Sequence, residues 1–453
     1  MYISLHSYSF TIWKKKFVDK KSKNKNFIKK KIYFIKMRIA IIGAGYVGLA
    51  TGIGFAEFGN EVWFYDIDDK KMDELKRGKI PIYEKGLNEY FKKNRQRIHF
   101  AEKLHDAVRN TDIAFICVGT PTIKGRISLK YVKTAADEIG KVLKDKKTFY
   151  GIVIKSTVVP GTAEKVEKII ERRSGKKAGE DFGVASNPEF LREGNAMQDF
   201  LSPDRIVIGT EDEKMKKLLL ALYKPIKSKK FFTDRKTAEF IKYVSNSFLA
   251  MKISFANEIG NLCKKEGVDV YEVMRGISLD KRISPYFLNA GIGFGGSCFP
   301  KDVKALINFG KRRGIKLKIL EKVLEVNDEQ PLRAVELLTE KMKIKGKNIG
   351  ILGLSFKPET DDIRESRAIP ILKALLKEGA NIYAYDPKAM KNMEKLFPNI
   401  NYCRNGSEVV EKSDAIIIAT EWEEFANLNF KKKIVIDGRR IKAKNAIYEG
   451  VCW

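Results

Sequence analysis

Short apolar runs separated by amphipathic stretches dominate the chain from Met37 onward. Buried strands are predicted at 38–42, 61–65, 112–118, 150–154 and from 182. Helical spacing of apolar residues between these runs gives the alternation of strand and helix that is typical of α/β folds. A second series of this kind starts at residue 347, with predicted strands at 348–352, 381–386, 414–420 and 433–437.

The two series resemble each other. N-E-V-W-F-Y-D-I-D at 60–68 is echoed by A-N-I-Y-A-Y-D-P-K at 380–388, and the stretch 111–120 is echoed by 413–421. Between the series, helical spacing predicts one long helix from about residue 237. The expected fold is α/β, with two Rossmann-like parallel-sheet domains joined by a central helical region. We predict a disordered or untranslated basic tail at 1–36 and domains at 37–235, 236–341 and 342–453.

A glycine-rich turn follows the first predicted strand. Gly43, Gly45 and Gly48 form the pattern G-x-G-x-x-G before a predicted helix, and the next strand ends at Asp66. This is the dinucleotide-binding fingerprint, in which the pyrophosphate lies at the helix N-terminus. Because a carboxylate accepts from ribose hydroxyls and repels a 2′-phosphate, the sequence predicts NAD. The alternative is a chance glycine turn in an α/β domain that binds no dinucleotide.

The stretch 291–302 reads G-I-G-F-G-G-S-C-F-P-K-D and contains the strongest candidate for covalent chemistry. Its four glycines permit a close backbone approach to a ligand, and Pro300 suits the first turn of a helix. Cys298 would lie at the start of that helix beside a lysine, where the field favours the nucleophilic thiolate. The alternative is a tight turn with a buried, inert Cys298.

Two threonines are candidates for the same cleft. Thr120 and Thr157 follow predicted strands, and ligands of open parallel sheets lie outside the carboxyl ends of strands. Both threonines would also suit helix caps. His105 lies in a polar helical stretch and His99 precedes a predicted strand, so we expect no histidine general base.

Two pairs of polar residues have helical spacing. Glu189 and Glu193 are four residues apart, so one helical turn would place them on one face. Lys242 and Asn246 have the same spacing on the long helix, where a cation and an amide together can stabilise an oxyanion. Surface charges and a solvated helix stripe are the alternatives.

The net charge of +30 comes partly from the N-terminal tail. Residues 1–36 contain eleven lysines and one acid, Asp19, and the remaining excess is dispersed. An anionic substrate explains that excess as well as nucleic acid does, so we expect no nucleic-acid partner. The five cysteines are odd in number and far apart, which indicates a reducing, cytoplasmic location without disulfides or a metal site. No apolar run is long enough to span a membrane.

From Met37 to the C-terminus the chain resembles the UDP-glucose 6-dehydrogenases, within the nucleotide-sugar dehydrogenases. The resemblance rests on motifs in the family's order: G-A-G-Y-V-G, V-G-T-P-T, S-T-V-V-P-G-T, N-P-E-F-L-R-E-G, K-Y-V-S-N, G-F-G-G-S-C-F-P-K-D and F-K-P-E-T-D-D-I-R-E-S. It implies NAD-dependent four-electron oxidation of UDP-glucose to UDP-glucuronate, through a thiohemiacetal and a thioester on Cys298. It also implies a homodimer, joined through the long helix, in which Arg282 reaches a partner's site.

The resemblance carries roles onto matching positions of this sequence. Lys242 and Asn246 would stabilise oxyanions, Glu189 would activate water, and Asp302 with Thr157 and a water would assist proton removal. Cofactor contacts are implied at Gly43, Gly45, Val47, Gly48, Asp66, Lys71, Thr120, Thr157, Glu193, Lys301 and Arg364. Substrate contacts are implied at Phe190, Leu191, Arg192, Glu193, Gly194, Lys242, Arg282, Phe287, Leu288, Asn289, Ala290, Gly291, Gly295 and Lys357.

Three other functions compete with this interpretation. A UDP-N-acetylhexosamine 6-dehydrogenase would use the same mechanism, although the intact F-L-R-E-G motif favours glucose. A single-step hydroxyacid dehydrogenase would have no need for Cys298 in its loop. A basic nucleic-acid-binding protein would explain the tail but none of the cleft motifs.

Overall fold

The computed structural model describes residues 36–123 and 126–453. The predicted basic tail, 1–36, therefore lies outside the described residues except for Lys36. Residues 36–453 form one compact unit, so the domain boundaries at 235/236 and 341/342 stay a prediction. Within the described ranges, no helix combines the length and the apolar character needed to cross a bilayer.

The N-terminal part of the chain alternates strands and helices. Its strands are β1 (Arg38–Ile42), β2 (Glu61–Tyr65), β3 (Ile98–Phe100), β4 (Ile113–Ile116), β5 (Thr122–Ile123), β6 (Arg126–Ile127), β7 (Tyr150–Ile154), β8 (Phe182–Ser186), β9 (Arg205–Gly209) and β10 (Lys229–Thr233). Its helices are α1 (Tyr46–Glu57), α2 (Asp69–Lys76), α3 (Leu87–Lys93), α4 (Leu104–Arg109), α5 (Lys130–Leu143), α6 (Thr162–Ser174), α7 (Ala196–Leu201) and α8 (Glu213–Leu222). A short 3₁₀ helix spans Arg95–Arg97.

Eight of these strands form the first sheet, in the order β10-β9-β8-β7-β4-β1-β2-β3. Its neighbours pair in parallel except for β8 and β9, which are antiparallel. The strand order reverses direction between β1 and β4, which is where ligands bind in open sheets of this kind. Two apolar clusters, one on each face, bury the strands, which accounts for their continuous apolar runs.

Helices dominate the middle of the chain. They are α9 (Arg235–Lys265), α10 (Val270–Ser278), α11 (Phe299–Lys311), α12 (Lys318–Glu329) and α13 (Leu332–Lys341). The 31-residue α9 begins where predicted, and the Asp234 side chain caps it by accepting from the Thr237 N–H. Pro300 lies in the first turn of α11 with Cys298 as the N-cap residue, as the sequence predicts.

The C-terminal part forms a second, wholly parallel sheet in the order β13-β12-β11-β14-β15-β16. These strands are β11 (Asn348–Leu352), β12 (Asn381–Tyr385), β13 (Asn401–Tyr402), β14 (Ala415–Ile418), β15 (Ile434–Asp437) and β16 (Ile447–Gly450). They alternate with α14 (Ala368–Lys377), α15 (Met390–Glu394), α16 (Gly406–Lys412) and a 3₁₀ turn at Glu423–Asn427. The order matches that of β3-β2-β1-β4-β7-β8, so the predicted pair of Rossmann-like sheets is confirmed.

A buried carboxylate joins α9 to the first sheet. Glu239 accepts from the backbone N–H groups of Gly161 (2.6 Å), Thr162 (3.3 Å) and Ala163 (2.8 Å) at the N-terminus of α6. Unpaired N–H groups and the helix dipole favour a carboxylate there. Burial nevertheless raises the pKa of Glu239 to about 7, against the effect of these hydrogen bonds. The contact fixes the register of α9 against the sheet.

The structure differs from the sequence expectations in a few elements. The strand expected at 112–118 is shorter, and His99 lies within β3, where it stacks on Trp63 and bonds Glu61, rather than before a strand. Strands β9 and β10, and likewise β3, β5, β6, β13 and β16, are not among the predicted strands. The first two are polar at their starts, and their apolar residues are too few to stand out from the neighbouring helices.

Gly54 offers a test of the packing of α1. A Cβ at this position would lie 2.1 Å from Cδ1 of Phe200, a buried ring that also packs edge-on against Phe55. We expect Gly54→Ala to lower the free energy of unfolding by about 1–3 kcal/mol, because Phe200 must move. Urea titration monitored by circular dichroism measures the loss.

Gly276→Ala in α10 is the matched control, because its Cβ would meet no atom within 4 Å. Alanine has the higher helix propensity, so this variant should be neutral or more stable by up to about 1 kcal/mol. Equal stability of the two variants would contradict the packing assigned to Gly54.

Candidate active site

The three glycines of the first βα turn have three different environments. Gly43 has a φ of +101°, and a Cβ there would lie 2.8 Å from the Cys117 carbonyl. A Cβ on Gly48 would lie 1.8 Å from the Gly43 carbonyl oxygen, whereas Gly45 has open space around it. No side chain caps α1, and its first turn contains no acid. A tight turn, close packing and free N–H groups facing open space fit a pyrophosphate at this helix N-terminus.

Asp66 lies at the end of β2, beside this turn. Its carboxylate accepts from the Ala44 N–H at 2.6 Å and from Nζ of Lys71 at 3.0 Å. The side chain remains partly exposed at the cleft, where its oxygens can also accept from ribose hydroxyls. The arrangement fits an adenosine ribose without a 2′-phosphate. It therefore fits NAD, as the sequence predicts.

One cleft of about 840 Å³ extends from this turn to the thiol. Thr120 and Thr157 line it, and the Thr120 hydroxyl donates to the Thr157 carbonyl at 2.9 Å. His105 lines it as well, bonded to Glu138 at 2.8 Å. A histidine does therefore lie on the cleft lining, and the expectation that no histidine acts as a general base stays a prediction. The predicted residues on its lining are Gly43, Gly45, Val47, Asp66, Lys71, Thr120, Thr157, Glu189, Leu191, Glu193, Cys298, Lys301 and Arg364.

Cys298 lies on this lining with a buried ion pair nearby. Nζ of Lys242 is 2.9 Å from Oε1 of Glu189. Both side chains are buried, with exposed fractions of 4% and 6%. Burial acts to raise the pKa of Glu189, but Lys242 outweighs it and the pKa lies below its usual value. Burial acts to lower the pKa of Lys242, but Glu189 and then Cys298 raise it. Both groups therefore stay charged at neutral pH.

Behind the thiol, Asn246 and Asp302 form a second buried contact. Nδ2 of Asn246 donates to Oδ2 of Asp302 at 2.7 Å, and Nζ of Lys301 donates to Oδ1 at 2.7 Å. Asp302 is fully buried and does not reach the cleft lining. The predicted catalytic residues thus come together, but Asp302 holds its neighbours in place and has no direct access to a ligand.

The protonation state of Cys298 differs from the prediction. Burial raises the pKa of the thiol above its usual value, and the positive charge of Lys242 opposes this shift only in part. The neighbouring Lys301 is paired with Asp302, so its charge is largely neutralised. The expectation that the helix start and the adjacent lysine favour the thiolate is wrong. The raised pKa favours the protonated thiol, which must lose its proton to react.

Glu189 and Glu193 do not share a helical turn, because residues 187–193 form no regular secondary structure. Each glutamate faces a different partner. Oε1 of Glu193 accepts from the Ser297 hydroxyl at 2.8 Å and lies 3.4 Å from Nη2 of Arg364. Burial, followed by the charge of Asp362, raises the pKa of Glu193 to about 7.

The glycines of 291–296 pack against other protein atoms, and Gly291 and Gly295 approach backbone carbonyls. A Cβ on Gly291 would lie 2.5 Å from the Gly438 carbonyl oxygen, and one on Gly295 would lie 2.2 Å from the Glu365 carbonyl oxygen. Gly296 has a φ of +85° and donates its N–H to the Arg364 carbonyl at 2.8 Å. These glycines let residues 291–298, the thiol loop, pack against loops of the second sheet. The sequence had instead predicted a close approach to a ligand.

The predicted substrate residues fall into four groups. Leu191 and Glu193 line the cleft, Gly295 packs against the Glu365 carbonyl, and the Phe190 ring packs against Arg205 and Lys242. Leu288, Ala290 and Gly291 are buried, whereas Arg192, Arg282 and Asn289 are exposed. Arg192 pairs with Asp199, and Arg282 pairs with Asp280. Gly194, Phe287 and Lys357 are half-buried, and Nζ of Lys357 donates to the Glu193 carbonyl.

Sequence reasoning missed the residues that hold the thiol loop. Asn257 accepts from the Gly291 N–H at 2.7 Å, and Gln330 donates to the Gly291 carbonyl at 2.8 Å. Asn327 both accepts from the Phe294 N–H and donates to its carbonyl. Ser297, inside the quoted motif, bonds Glu193. Buried amides on predicted helices were the available signal, but their partners lie 33 to 39 residues away in the chain.

Known proteins share this architecture. A UDP-glucose 6-dehydrogenase of Haloferax volcanii is 43% identical over 417 residues, which are 89% of this chain and 97% of that protein. The structure of a UDP-glucose dehydrogenase from Pyrobaculum islandicum superposes with a TM-score of 0.90 at 43% identity, covering 93% of this chain and 99% of that one. A UDP-D-ManNAc dehydrogenase structure from Pyrococcus horikoshii gives 0.81 at 30% identity, covering 92% and 99%.

Family models match three consecutive segments of the chain. They describe the NAD-binding, central and UDP-binding domains of one family and match residues 37–227, 236–329 and 350–444. The first segment contains the glycine turn, the second contains nearly all of α9 together with Cys298, and the third contains most of the second sheet. On this evidence the chain belongs to the UDP-glucose/GDP-mannose dehydrogenase family.

Proposed function

We propose that this protein is an NAD-dependent 6-dehydrogenase that converts UDP-glucose to UDP-glucuronate in two successive oxidations. One observation carries the proposal: Cys298 lies on the same cleft as the dinucleotide-binding turn, with the ion pair of Lys242 and Glu189 close to it. A thiol at this place can retain the aldehyde between the oxidations. Relatives named UDP-glucose 6-dehydrogenases, 43% identical to the chain, support this substrate.

NAD, when bound in the cleft, accepts two electrons and one proton from the substrate carbon in each oxidation. In the first oxidation Thr157, on the cleft lining, holds the water that receives the alcohol proton. Asp302 acts behind the site, because its two oxygens hold Asn246 and Lys301 in place. Cys298 then adds to the aldehyde carbon and forms a thiohemiacetal.

The charged groups around Cys298 suit the later steps. Lys242 and the second amide hydrogen of Asn246 stabilise the oxyanion of the thiohemiacetal, which the second oxidation converts to a thioester. Glu189 stays ionised, so it can accept a proton from the water that hydrolyses the thioester. The ion pair with Lys242 keeps the Glu189 carboxylate close to the thioester on Cys298.

The sugar nucleotide would lie between the thiol and the second sheet. Lys357 would lie at this space, where its Nζ donates to the Glu193 carbonyl. Burial lowers the pKa of Lys357. Together with the half-buried Phe190 and Phe287, it gives a cationic and aromatic surface for a uridine diphosphate. A UDP-N-acetylhexosamine is the second candidate substrate, since the 30% identical Pyrococcus horikoshii protein is named for UDP-D-ManNAc.

We also propose that two copies associate through the outer face of α9. Val244, Phe248, Phe255 and Leu262 recur at helical spacing on this face, and their exposed fractions are 48–58%. Such a stripe on one 31-residue helix is typical of an interface. Arg282, in the loop after α10, pairs with Asp280 and has a side chain that is 89% exposed, so it could contact a partner's site. The cysteines of the described chain are all free, which supports a cytoplasmic location.

The stoichiometry of NADH tests the proposed function. We expect two NADH for each UDP-glucose consumed and UDP-glucuronate as the product, measured by absorbance and chromatography. Two NADH only with UDP-N-acetyl sugars would keep the mechanism and replace the substrate. One NADH per sugar, or none with either substrate, would overturn the proposal.

Replacement of the thiol tests the mechanism. We expect Cys298→Ser to lose net turnover by several orders of magnitude, as expected for a nucleophile, while retaining binding of NAD and UDP-glucose. Calorimetric titration measures the binding. Cys117→Ala removes the other cysteine on the cleft lining and should keep two NADH per sugar. Full turnover by Cys298→Ser would exclude the covalent mechanism.

A charge on the outer face of α9 tests the dimer. Phe248→Glu would bury a carboxylate in the proposed interface, so we expect it to convert the dimer to a monomer in light scattering. Leu396→Glu is the control, because Leu396 is equally exposed, at 56%, but lies after α15. A monomeric wild type, or dissociation by both variants, would contradict the proposed interface.

A further inference from the structure

A serine connects the thiol to a buried carboxylate. The Ser297 hydroxyl donates to Oε1 of Glu193 at 2.8 Å, and Oγ of Ser297 is 3.5 Å from Sγ of Cys298. A hydroxyl has one hydrogen, and here Glu193 receives it. While Glu193 is ionised and takes this hydrogen, the thiol is the donor in the 3.5 Å contact. The three groups form a chain in which each hydrogen points from Cys298 toward Glu193.

We propose that Ser297 is a catalytic residue that passes the Cys298 proton to Glu193 as the thiol attacks the aldehyde. This inference deepens the proposed function and rests on it. When the sulfur–carbon bond forms, the π electrons of the carbonyl move to its oxygen, and the S–H proton moves to Oγ of Ser297. The Ser297 proton moves at the same time to Oε1 of Glu193. No electron leaves the substrate in this step, and Glu193 later returns its proton to solvent.

The two other carboxylates that face the thiol have a hydrogen-bond donor on each oxygen. The Glu189 oxygens accept from Lys242 and from the Leu191 N–H at 2.5 Å. The Asp302 oxygens accept from Asn246 and Lys301, and this side chain is fully buried. Glu193 differs, because its Oε2 is buried without a hydrogen-bond partner among the described residues. An incompletely solvated carboxylate has an increased affinity for a proton.

The surrounding charges agree with this direction of transfer. Burial raises the pKa of the Cys298 thiol, so its proton needs an acceptor. The Ser297 hydroxyl acts to lower this pKa, because after the transfer its hydrogen points to the sulfur. The pKa of Glu193, at about 7, suits an acceptor that must release the proton again near neutral pH. Glu193 is faced by Asp362, Arg364, Lys357 and Tyr46, and Cys298 by Lys242, Glu189 and Asp302.

Alkylation of Cys298 tests the transfer without any turnover. Wild type, Ser297→Ala, Ser297→Thr and Glu193→Gln are treated with iodoacetamide from about pH 6 to pH 9, and modification of the Cys298 peptide is measured by mass spectrometry. We expect two steps in the wild-type rate, the lower near pH 7, where Glu193 ionises and can take the thiol proton. Ser297→Thr keeps the hydroxyl and should keep this lower step.

Ser297→Ala and Glu193→Gln should lose the lower step, with rates near neutral pH reduced roughly tenfold or more, the worth of a hydrogen bond to a charged group. A role of Ser297 in packing alone would change the rate equally at every pH. An unchanged profile in Ser297→Ala, or loss of the lower step in Ser297→Thr, would overturn the proposal.

Cys298→Ser separates this inference from the proposed function. If that variant keeps two NADH per sugar, the covalent mechanism itself is wrong, whatever the alkylation profiles show. If it loses turnover while Ser297→Ala is alkylated like wild type, the thiol is the nucleophile and only the transfer through Ser297 is overturned.

Discussion

The buried polar face of α9 is the constraint on which the rest of the structure depends. Glu239, Lys242, Asn246 and Asn257 lie on one side of this helix, and each bonds a different segment: the start of α6, Glu189, Asp302 and the thiol loop. A buried polar group without its partner costs about 1–3 kcal/mol, more if it is charged. The helix therefore has one favourable register, in which the first sheet, the nucleophile and the second sheet converge.

The same helix sets the balance of charges around Cys298. Lys242 is balanced by Glu189 and Lys301 by Asp302, so the charges near Cys298 largely cancel. Burial then raises the pKa of the thiol, which favours its protonated form. The lysine that compensates Glu189 is also the cation nearest the thiol. An oxyanion formed beside Lys242 would be stabilised by the same positive charge. This favours addition of the thiol to a bound carbonyl.

Local patterns allowed much of this structure to be predicted. The glycine turn, Asp66, the long helix and Cys298 at the start of α11 each depend on residues close together in the chain. The relative placement of Glu189 and Glu193 was not predictable from the sequence. Lys242 holds Glu189 and Ser297 holds Glu193, and both partners lie far along the chain. The thiol pKa was mispredicted for a similar reason: burial and the Lys301–Asp302 pair arise only on folding.

The two sheets show how one topology gives different binding properties. Gly353 follows β11 as Gly43 follows β1, both with φ near +100°, at +94° and +101°. Asp386 follows β12 as Asp66 follows β2, and each accepts from the second N–H of its turn, at 2.7 and 2.6 Å. The residue that matches Gly45 is Ser355, whose hydroxyl fills that place and donates to Asp386 at 3.0 Å. Trp422 donates to the same carboxylate oxygen, and Asp386 is fully buried. The second turn therefore lacks both the open space and the accessible acid that a dinucleotide needs, so the cofactor can be bound in this way only at the first.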